Sequence, residues 1–297
     1  MTTPKEHTKQ VSETGHEELM DAIKALQVPP STRSKEDAWN MIMQSIATTV
    51  QPKETTRINS LRVWLTTAAA AAIVVVSCFS YLWFSRVSVS SPRGVATDVI
   101  LPDGSTAKLN ADSWLKYPKF YSLVGRKLKI EGEVFFTVTP GRSFVVSDDF
   151  KRQVEVVGTK FNMATRGSTF KVACFSGSVM VSNPGSERVQ LGKGEVAEAA
   201  GKTLKVSKDE LHIADSPGWT NGEFKFVGVP LSEVLTELER QFNIKVTAMD
   251  FNPNGRTFTG YFTKSSLEQA LELVAQPMSL RYEVSSDSTV VKIYSNK

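Results

Sequence analysis

Apolar positions follow three rhythms along the chain, and each predicts a different kind of element. In the N-terminal fifth they fall at helical spacing: Leu19, Ile23 and Leu26 form one stripe over His16 to Gln27, and after the Pro29-Pro30 break Trp39, Ile42, Met43 and Ile46 form a second. Ser34 and Asp37 stand at capping-box spacing where that second helix starts. Two helices of this length cannot close a core, so their apolar faces either meet a partner or pack on each other as a hairpin. Thr48 to Asn59 reads as a linker.

From Val63 to Ser85 the pattern becomes continuous. These 23 residues, VWLTTAAAAAIVVVSCFSYLWFS, carry no acidic or basic side chain and are closed by Arg62 and Arg86. As a helix rising about 1.5 Å per residue the run covers roughly 34 Å, enough to cross a hydrocarbon core of about 30 Å with some tilt. Trp64 at one end and Tyr81, Trp83 and Phe84 at the other suit the lipid–water boundary. The long polar stretch ahead of it is unlike a cleavable signal peptide, so an anchor is expected, with a buried core helix as the alternative.

Beyond the run, Val95 to Val206 consists of short β-prone segments divided by Gly, Pro and Asp turns, and reads as all-β. A Gly-led unit recurs at uneven intervals, in Gly132-Glu133-Val134-Phe135-Phe136, Gly177-Ser178-Val179-Met180-Val181 and Gly194-Glu195-Val196-Ala197-Glu198. Such repetition predicts a rolled or solenoid-like sheet without the fixed coils of a regular β-helix. The C-terminal quarter holds a duplication with an offset of 36 positions. Phe226, Leu231, Val234, Leu235, Leu238, Phe242, Ile244 and Val246 correspond to Phe262, Leu267, Ala270, Leu271, Val274, Met278, Leu280 and Tyr282. Each copy predicts strand, helix, strand, the first helix opening beside Pro230 and the second with Ser265 and Glu268 in capping-box spacing. A closed domain with pseudo-two-fold symmetry is expected, two helices over a small sheet.

Charge narrows the function. The net charge is +4, and up to Arg62 there are eight residues of each sign, so the N-terminal segment has no electrostatic footprint for nucleic acid. Lys53, Arg57 and Arg62, opposed by Glu54, against Arg86 and Arg93 beyond the span lean toward an N-terminus inside. Cys78 lies within the span and Cys174 in a predicted strand, so they do not pair with each other. His7, His16 and His212 are scattered without metal-ligand spacing, and no phosphate-loop, nucleophile-elbow, zincin or dinucleotide motif is present; neither metal nor cofactor is expected. Glu131 and Glu133 form a carboxylate pair that reads as solvated strand-end charge. Gly158-Thr159 admits a sharper idea: in a strained turn the Thr159 hydroxyl attacks the Gly158 carbonyl, giving an ester that water hydrolyses. The plain alternative is a strand-end turn in which Gly158 supplies a special backbone angle. Otherwise no enzyme is expected.

Several ordered blocks resemble the FecR family of membrane-anchored anti-sigma regulators. They are Ser91-Pro92-Arg93-Gly94, Leu101-Pro102-Asp103-Gly104-Ser105 through Leu109-Asn110-Ala111-Asp112-Ser113 to Tyr117-Pro118, Ile130-Glu131-Gly132-Glu133-Val134-Phe135-Phe136, Phe144-Val145-Val146, Val157-Gly158-Thr159-Lys160-Phe161-Asn162 and Ser176-Gly177-Ser178-Val179. Trp219 to Tyr294 resembles the C-terminal domain of such regulators, related to the short signalling (STN) domain of secretins and TonB-dependent transporters.

The resemblance implies a multi-domain membrane protein in four parts: a cytoplasmic helical segment (1–62), a transmembrane helix (63–85), a periplasmic β domain (86–210) and an STN-like α/β domain (211–297). It further implies an anti-sigma relay in the inner membrane. An extracytoplasmic-function (ECF) sigma factor is the partner inside, on Leu19, Ile23, Trp39, Ile42, Met43 and Ile46. The signalling domain of a TonB-dependent outer-membrane transporter is the partner outside, within Phe224 to Tyr294. An intramembrane protease acting near Ala68 to Ala72 is a further expected partner. The alternative is an anchored periplasmic carbohydrate- or envelope-binding module, with Trp114, Tyr117, Phe120 and Tyr121 stacking on sugar rings.

Overall fold

The computed structural model describes residues 14–25, 33–49, 60–121, 125–208 and 215–296. The N-terminal segment forms α1 (Thr14–Ala25) and α2 (Lys35–Thr49). Ser34 caps the second, its Oγ accepting the Asp37 N–H at 3.2 Å. Leu26 and positions 50–59 of the expected linker lie outside the described residues.

Helix α3 (Ser60–Phe84) carries the continuous apolar run. Its stretch Arg62–Tyr81 has a mean hydropathy of 2.0 and none of it is buried; among the described residues it alone is long and apolar enough to cross a membrane. Exposure along the whole stretch is inconsistent with the core-helix alternative, since a core helix is covered by protein. The Thr66 and Thr67 hydroxyls donate to the Val63 carbonyl at 3.0 and 2.9 Å, which satisfies them without water.

Thirteen strands follow in one sheet. They are β1 (Arg86–Ser91), β2 (Thr97–Ile100), β3 (Thr106–Leu109), β4 (Ser113–Pro118), β5 (Arg126–Thr137), β6 (Phe144–Ser147) and β7 (Gln153–Val156), then β8 (Lys160–Arg166), β9 (Thr169–Ser176), β10 (Val179–Ser182), β11 (Val189–Leu191), β12 (Glu195–Ala200) and β13 (Thr203–Lys208). The main path runs β11-β10-β7-β6-β5-β8-β9-β12-β13, with β4 and β3 also pairing to β5.

Strand β5 organises this sheet. Its first half pairs with β4 and β6, its second with β3 and β8, and Gly132 stands at the change. Gly132 has φ +100°, and a Cβ there would lie 2.6 Å from Ser113 Cβ, so only glycine lets the strand turn this corner. The two halves close over one core that includes Leu115, Ile130, Val134, Phe136, Phe144, Phe161 and Val172.

The solenoid-like expectation needs correction here. Within the sheet only β5–β6 is parallel, and the three Gly-led units do not stack as coils. Gly132 bends β5, while Gly177 and Gly194 precede β10 and β12, which pair with different neighbours. What the units share is a glycine at positive φ followed by a strand, a local turn device rather than a repeated fold unit.

The C-terminal residues form β14 (Glu223–Pro230), α4 (Leu231–Phe242), β15 (Lys245–Ala248), β16 (Thr257–Thr263), α5 (Leu267–Ala275), β17 (Leu280–Val284) and β18 (Val290–Ser295). All sixteen positions of the 36-residue duplication contribute to one cluster. Instead of one small sheet there are two: an antiparallel β14–β16 pair and a three-stranded β15-β18-β17 sheet. The equivalent strands β15 and β17 do not touch as a ladder, because β18 enters between them, parallel to β15 and antiparallel to β17.

Candidate functional site

The outer face of the β5–β8–β9 sheet is not a free surface. Phe135 sits there against the Phe175 ring, 5.5 Å between centroids, and also packs on the C-terminal cluster. Around it a polar network joins the strand-rich residues to the duplicated ones.

Glu133 is its centre. One carboxylate oxygen accepts from Asn110 Nδ2 and the other from Asn162 Nδ2, both at 2.8 Å. Each asparagine is then oriented from the C-terminal side. Gln241 Nε2 of α4 donates to Asn110 Oδ1 at 2.8 Å, and Trp219 Nε1 donates to Asn162 Oδ1 at 3.3 Å. Gln241 also donates to Glu237 at 2.7 Å, and Arg240 pairs with Glu237 at 2.8 Å. Backbone contacts add to the joint: Gly94 N–H donates to the Arg240 carbonyl at 2.7 Å, and Lys264 Nζ donates to the Gly94 carbonyl at 3.0 Å.

With both amide oxygens occupied, Asn110 and Asn162 can present only N–H groups inward. Position 133 therefore requires two acceptors, and a carboxylate supplies them. Burial pushes the Glu133 carboxyl up, the Glu237 charge pushes it further, and Arg166 with the two asparagine donors acts in the opposite sense. Arg166 donates to the Ala111 carbonyl at 2.9 Å, and burial lowers its own pKa. The junction thus holds a carboxyl whose charged form burial disfavours. It also borders an open cavity of about 600 Å³ whose lining includes Glu133, Asn162, Lys171, Trp219, Phe226 and Glu237.

The expected solvated pair Glu131 and Glu133 is resolved into two roles. Glu131 stays exposed and accepts from Trp114 Nε1 at 2.8 Å, whereas Glu133 is half-buried between the two asparagines that Gln241 and Trp219 orient. Gly94, Asn110 and Asn162 stood in the quoted blocks without a role, and Trp219 and Gln241 had none either. The available signal was chemical: uncharged amides inside apolar β blocks need fixed partners.

Gly158-Thr159 follows β7. Gly158 does not have positive φ; a Cβ there would meet Pro140 Cα at 2.9 Å, so close packing and not a special angle accounts for the glycine. Thr159 is buried, and its hydroxyl donates to the Ser178 carbonyl at 2.9 Å. The proposed aromatic platform is divided: Tyr117 and Tyr121 are buried edge to face in the core, while Trp114 lies on the other face under Lys116 Nζ. In the N-terminal helices Ile23, Trp39, Ile42, Met43 and Ile46 are 49% to 61% exposed, and the Leu19 side chain lies outside what is described. Among the described residues no group of three or more His, Cys, Asp or Glu is arranged to hold a metal ion.

Comparison with known proteins finds matches in two separate stretches of the chain. Residues 87–180 match the family model described as FecR protein, and residues 223–291 match that of the FecR C-terminal region. Two crystal structures of a candidate anti-sigma factor from Parabacteroides distasonis share the fold, each with a TM-score of 0.63, at 23% and 24% identity. Each alignment covers 71% of this chain and 100% of the other. No curated protein sequence matches. The chain therefore carries two FecR-family domains in succession, and Gln241 and Trp219 on the C-terminal side bond to the two asparagines that hold Glu133.

Proposed function

We propose that this chain is an anti-sigma regulator that relays the occupancy of a TonB-dependent outer-membrane transporter across the inner membrane to an ECF sigma factor. The observation that carries the reading is the uncovered apolar face of α2, where Trp39, Ile42, Met43 and Ile46 each leave about half or more of their surface exposed. An apolar helix face of this kind is what a groove in a partner covers. Leu19 and Ile23 of α1 extend the same contact.

In this reading the N-terminus is cytoplasmic and residues 1–62 hold the sigma factor, 63–85 span the membrane, 86–210 form the periplasmic FecR-type domain, and 211–297 receive the transporter. The last unit, STN-like in its duplication, offers β15 and β17 as the edges of its three-stranded sheet. A transporter's signalling domain adds a strand to such an edge, gaining affinity from backbone hydrogen bonds. One helix transmits a change of shape poorly through lipid, which favours cleavage by an intramembrane protease near Ala68 to Ala72. The fold shared with the Parabacteroides candidate anti-sigma factor is consistent with the assignment.

The test is co-purification of the tagged full-length protein from detergent-solubilised cells. A sigma factor is expected in the eluate and is expected to be lost on combining Trp39→Ala with Ile42→Asp. Absence of any sigma factor with the parent chain overturns the cytoplasmic half of the proposal.

A further inference from the structure

A second cavity, of about 480 Å³, opens in the strand-rich unit beside Asp103, Tyr121, Arg126 and Arg142. Three buried polar atoms there have no hydrogen-bond partner of ordinary geometry among the described residues: the Tyr121 hydroxyl and Nε and Nη2 of Arg126. Buried donors are almost always paired, so three at one place point to something that binds them.

The Arg126 side chain is fixed in position. Its Nη1 donates to Asp103 Oδ2 at 3.0 Å and to the Thr139 carbonyl at 2.9 Å. Gly141 lies against the guanidinium so closely that a Cβ there would come within 3.3 Å of Nη2, and the Phe144 ring lies 5.6 Å from Cζ on the same group. Asp103 is itself held by the Ser105 N–H and hydroxyl at 3.1 and 2.8 Å. One edge of the guanidinium is thus committed. The other, Nε with Nη2, is the pair of near-parallel donors that grips two oxygens of a carboxylate or phosphate at once.

Two further features favour an anion. Burial, with the Asp103 charge second and a hydrogen bond to that carboxylate the smallest contribution, pushes the Tyr121 phenol up, so it stays protonated beside Asp103. Lys127 and Arg142 also line the cavity, giving three cations against a single carboxylate that Arg126 and Ser105 already satisfy. The volume far exceeds the roughly 30 Å³ of one water molecule, so the space suits a small organic molecule.

We infer that this cavity binds a small oxyanion, a carboxylate or phosphate group seated bidentately on Nε and Nη2 of Arg126 with the Tyr121 hydroxyl as a third donor. The site gives the strand-rich domain a chemical input of its own, separate from the transporter contact proposed above and independent of whether that contact exists.

Full-length protein in detergent micelles is titrated with sodium malonate and, separately, with inorganic phosphate, ionic strength being held constant with chloride. Calorimetry is expected to show saturable one-to-one binding of at least one of them, with an unfolding temperature that climbs with the logarithm of its concentration. Stronger binding of malonate assigns the site to carboxylates, and the reverse assigns it to phosphates. Tyr121→Phe keeps the ring that packs on Tyr117, and Arg142→Gln changes only the cavity wall; each is expected to weaken binding about tenfold. Arg126→Lys keeps the charge without the fork and is expected to abolish saturable binding; if that variant does not fold, the other two carry the test. Neither anion producing heat or stabilisation beyond chloride overturns the inference, and so does binding that survives both Tyr121→Phe and Arg142→Gln.

Discussion

Asn110→Asp tests the junction with almost no change of shape. The substitution replaces the Nδ2 donor, 2.8 Å from the Glu133 carboxylate, by an oxygen of equal size, and leaves the acceptor that serves Gln241 and the Ala111 N–H. Two carboxylates then face each other in a covered site. Leaving a buried charge without its partner costs about 3–5 kcal/mol, and because Glu133 retains some exposure the lower end applies, about 3 kcal/mol at pH 7.5. That is roughly a hundredfold in the folding equilibrium. The paired carboxylates hold a proton to higher pH in the native state than in the unfolded one. The deficit is therefore absent below the ordinary carboxylate range and grows as pH rises through it and on through the raised native value. Urea unfolding of the full-length protein in micelles measures it at pH 7.5 and near pH 4.

The partner substitution makes the reasoning sharper. Glu133→Gln alone sets an amide donor against a donor, since both asparagines are locked, and costs about 1–3 kcal/mol. Combined with Asn110→Asp it restores a donor facing an acceptor at 110 and leaves a carbonyl for Asn162. The double variant is expected to be more stable at pH 7.5 than Asn110→Asp alone. A parent-like midpoint for Asn110→Asp, or a double variant no better than that single one, refutes the network as described.

Three further outcomes are expected. Gly132→Ala combines a left-handed backbone with a clash against Ser113 and costs about 3 kcal/mol in the same unfolding assay, because β5 loses its corner. Trp39→Ala with Ile42→Asp lowers sigma-factor capture at least about thirtyfold, as removal of an anchor worth about 2 kcal/mol does, while unfolding of the strand-rich part is unchanged. Thr159→Val removes the bond to the Ser178 carbonyl, costs about 1 kcal/mol, and leaves the denaturing-gel pattern as it was. A pair of fragments present in the parent and absent from that variant instead gives the hydroxyl a cleavage role.

Some of this protein is written at short range. The candidate membrane-spanning helix is legible because lipid responds to length and polarity alone, and both are properties of 25 successive residues in α3. The duplicated C-terminal unit is legible because the same face must be buried twice: Leu231, Val234 and Leu238 recur as Leu267, Ala270 and Val274 at a constant offset, and all six contribute to the cluster. The Ser34 cap is local chemistry of the same sort.

Other features exist only once distant segments meet. That β18 separates β15 from β17 follows from the ladder each finds, not from its own composition, and the repeat has no copy of it. Glu133 looked like an ordinary surface charge, because its fate depends on Asn110 and Asn162, 23 and 29 positions away, and on Gln241, 131 positions from Asn110. Periodicity reports which side chains leave water, since apolar burial is additive and non-directional. Which polar groups share a hydrogen bond is directional and nonlocal, so for this chain the tertiary structure alone decided where the two FecR-family domains lock together.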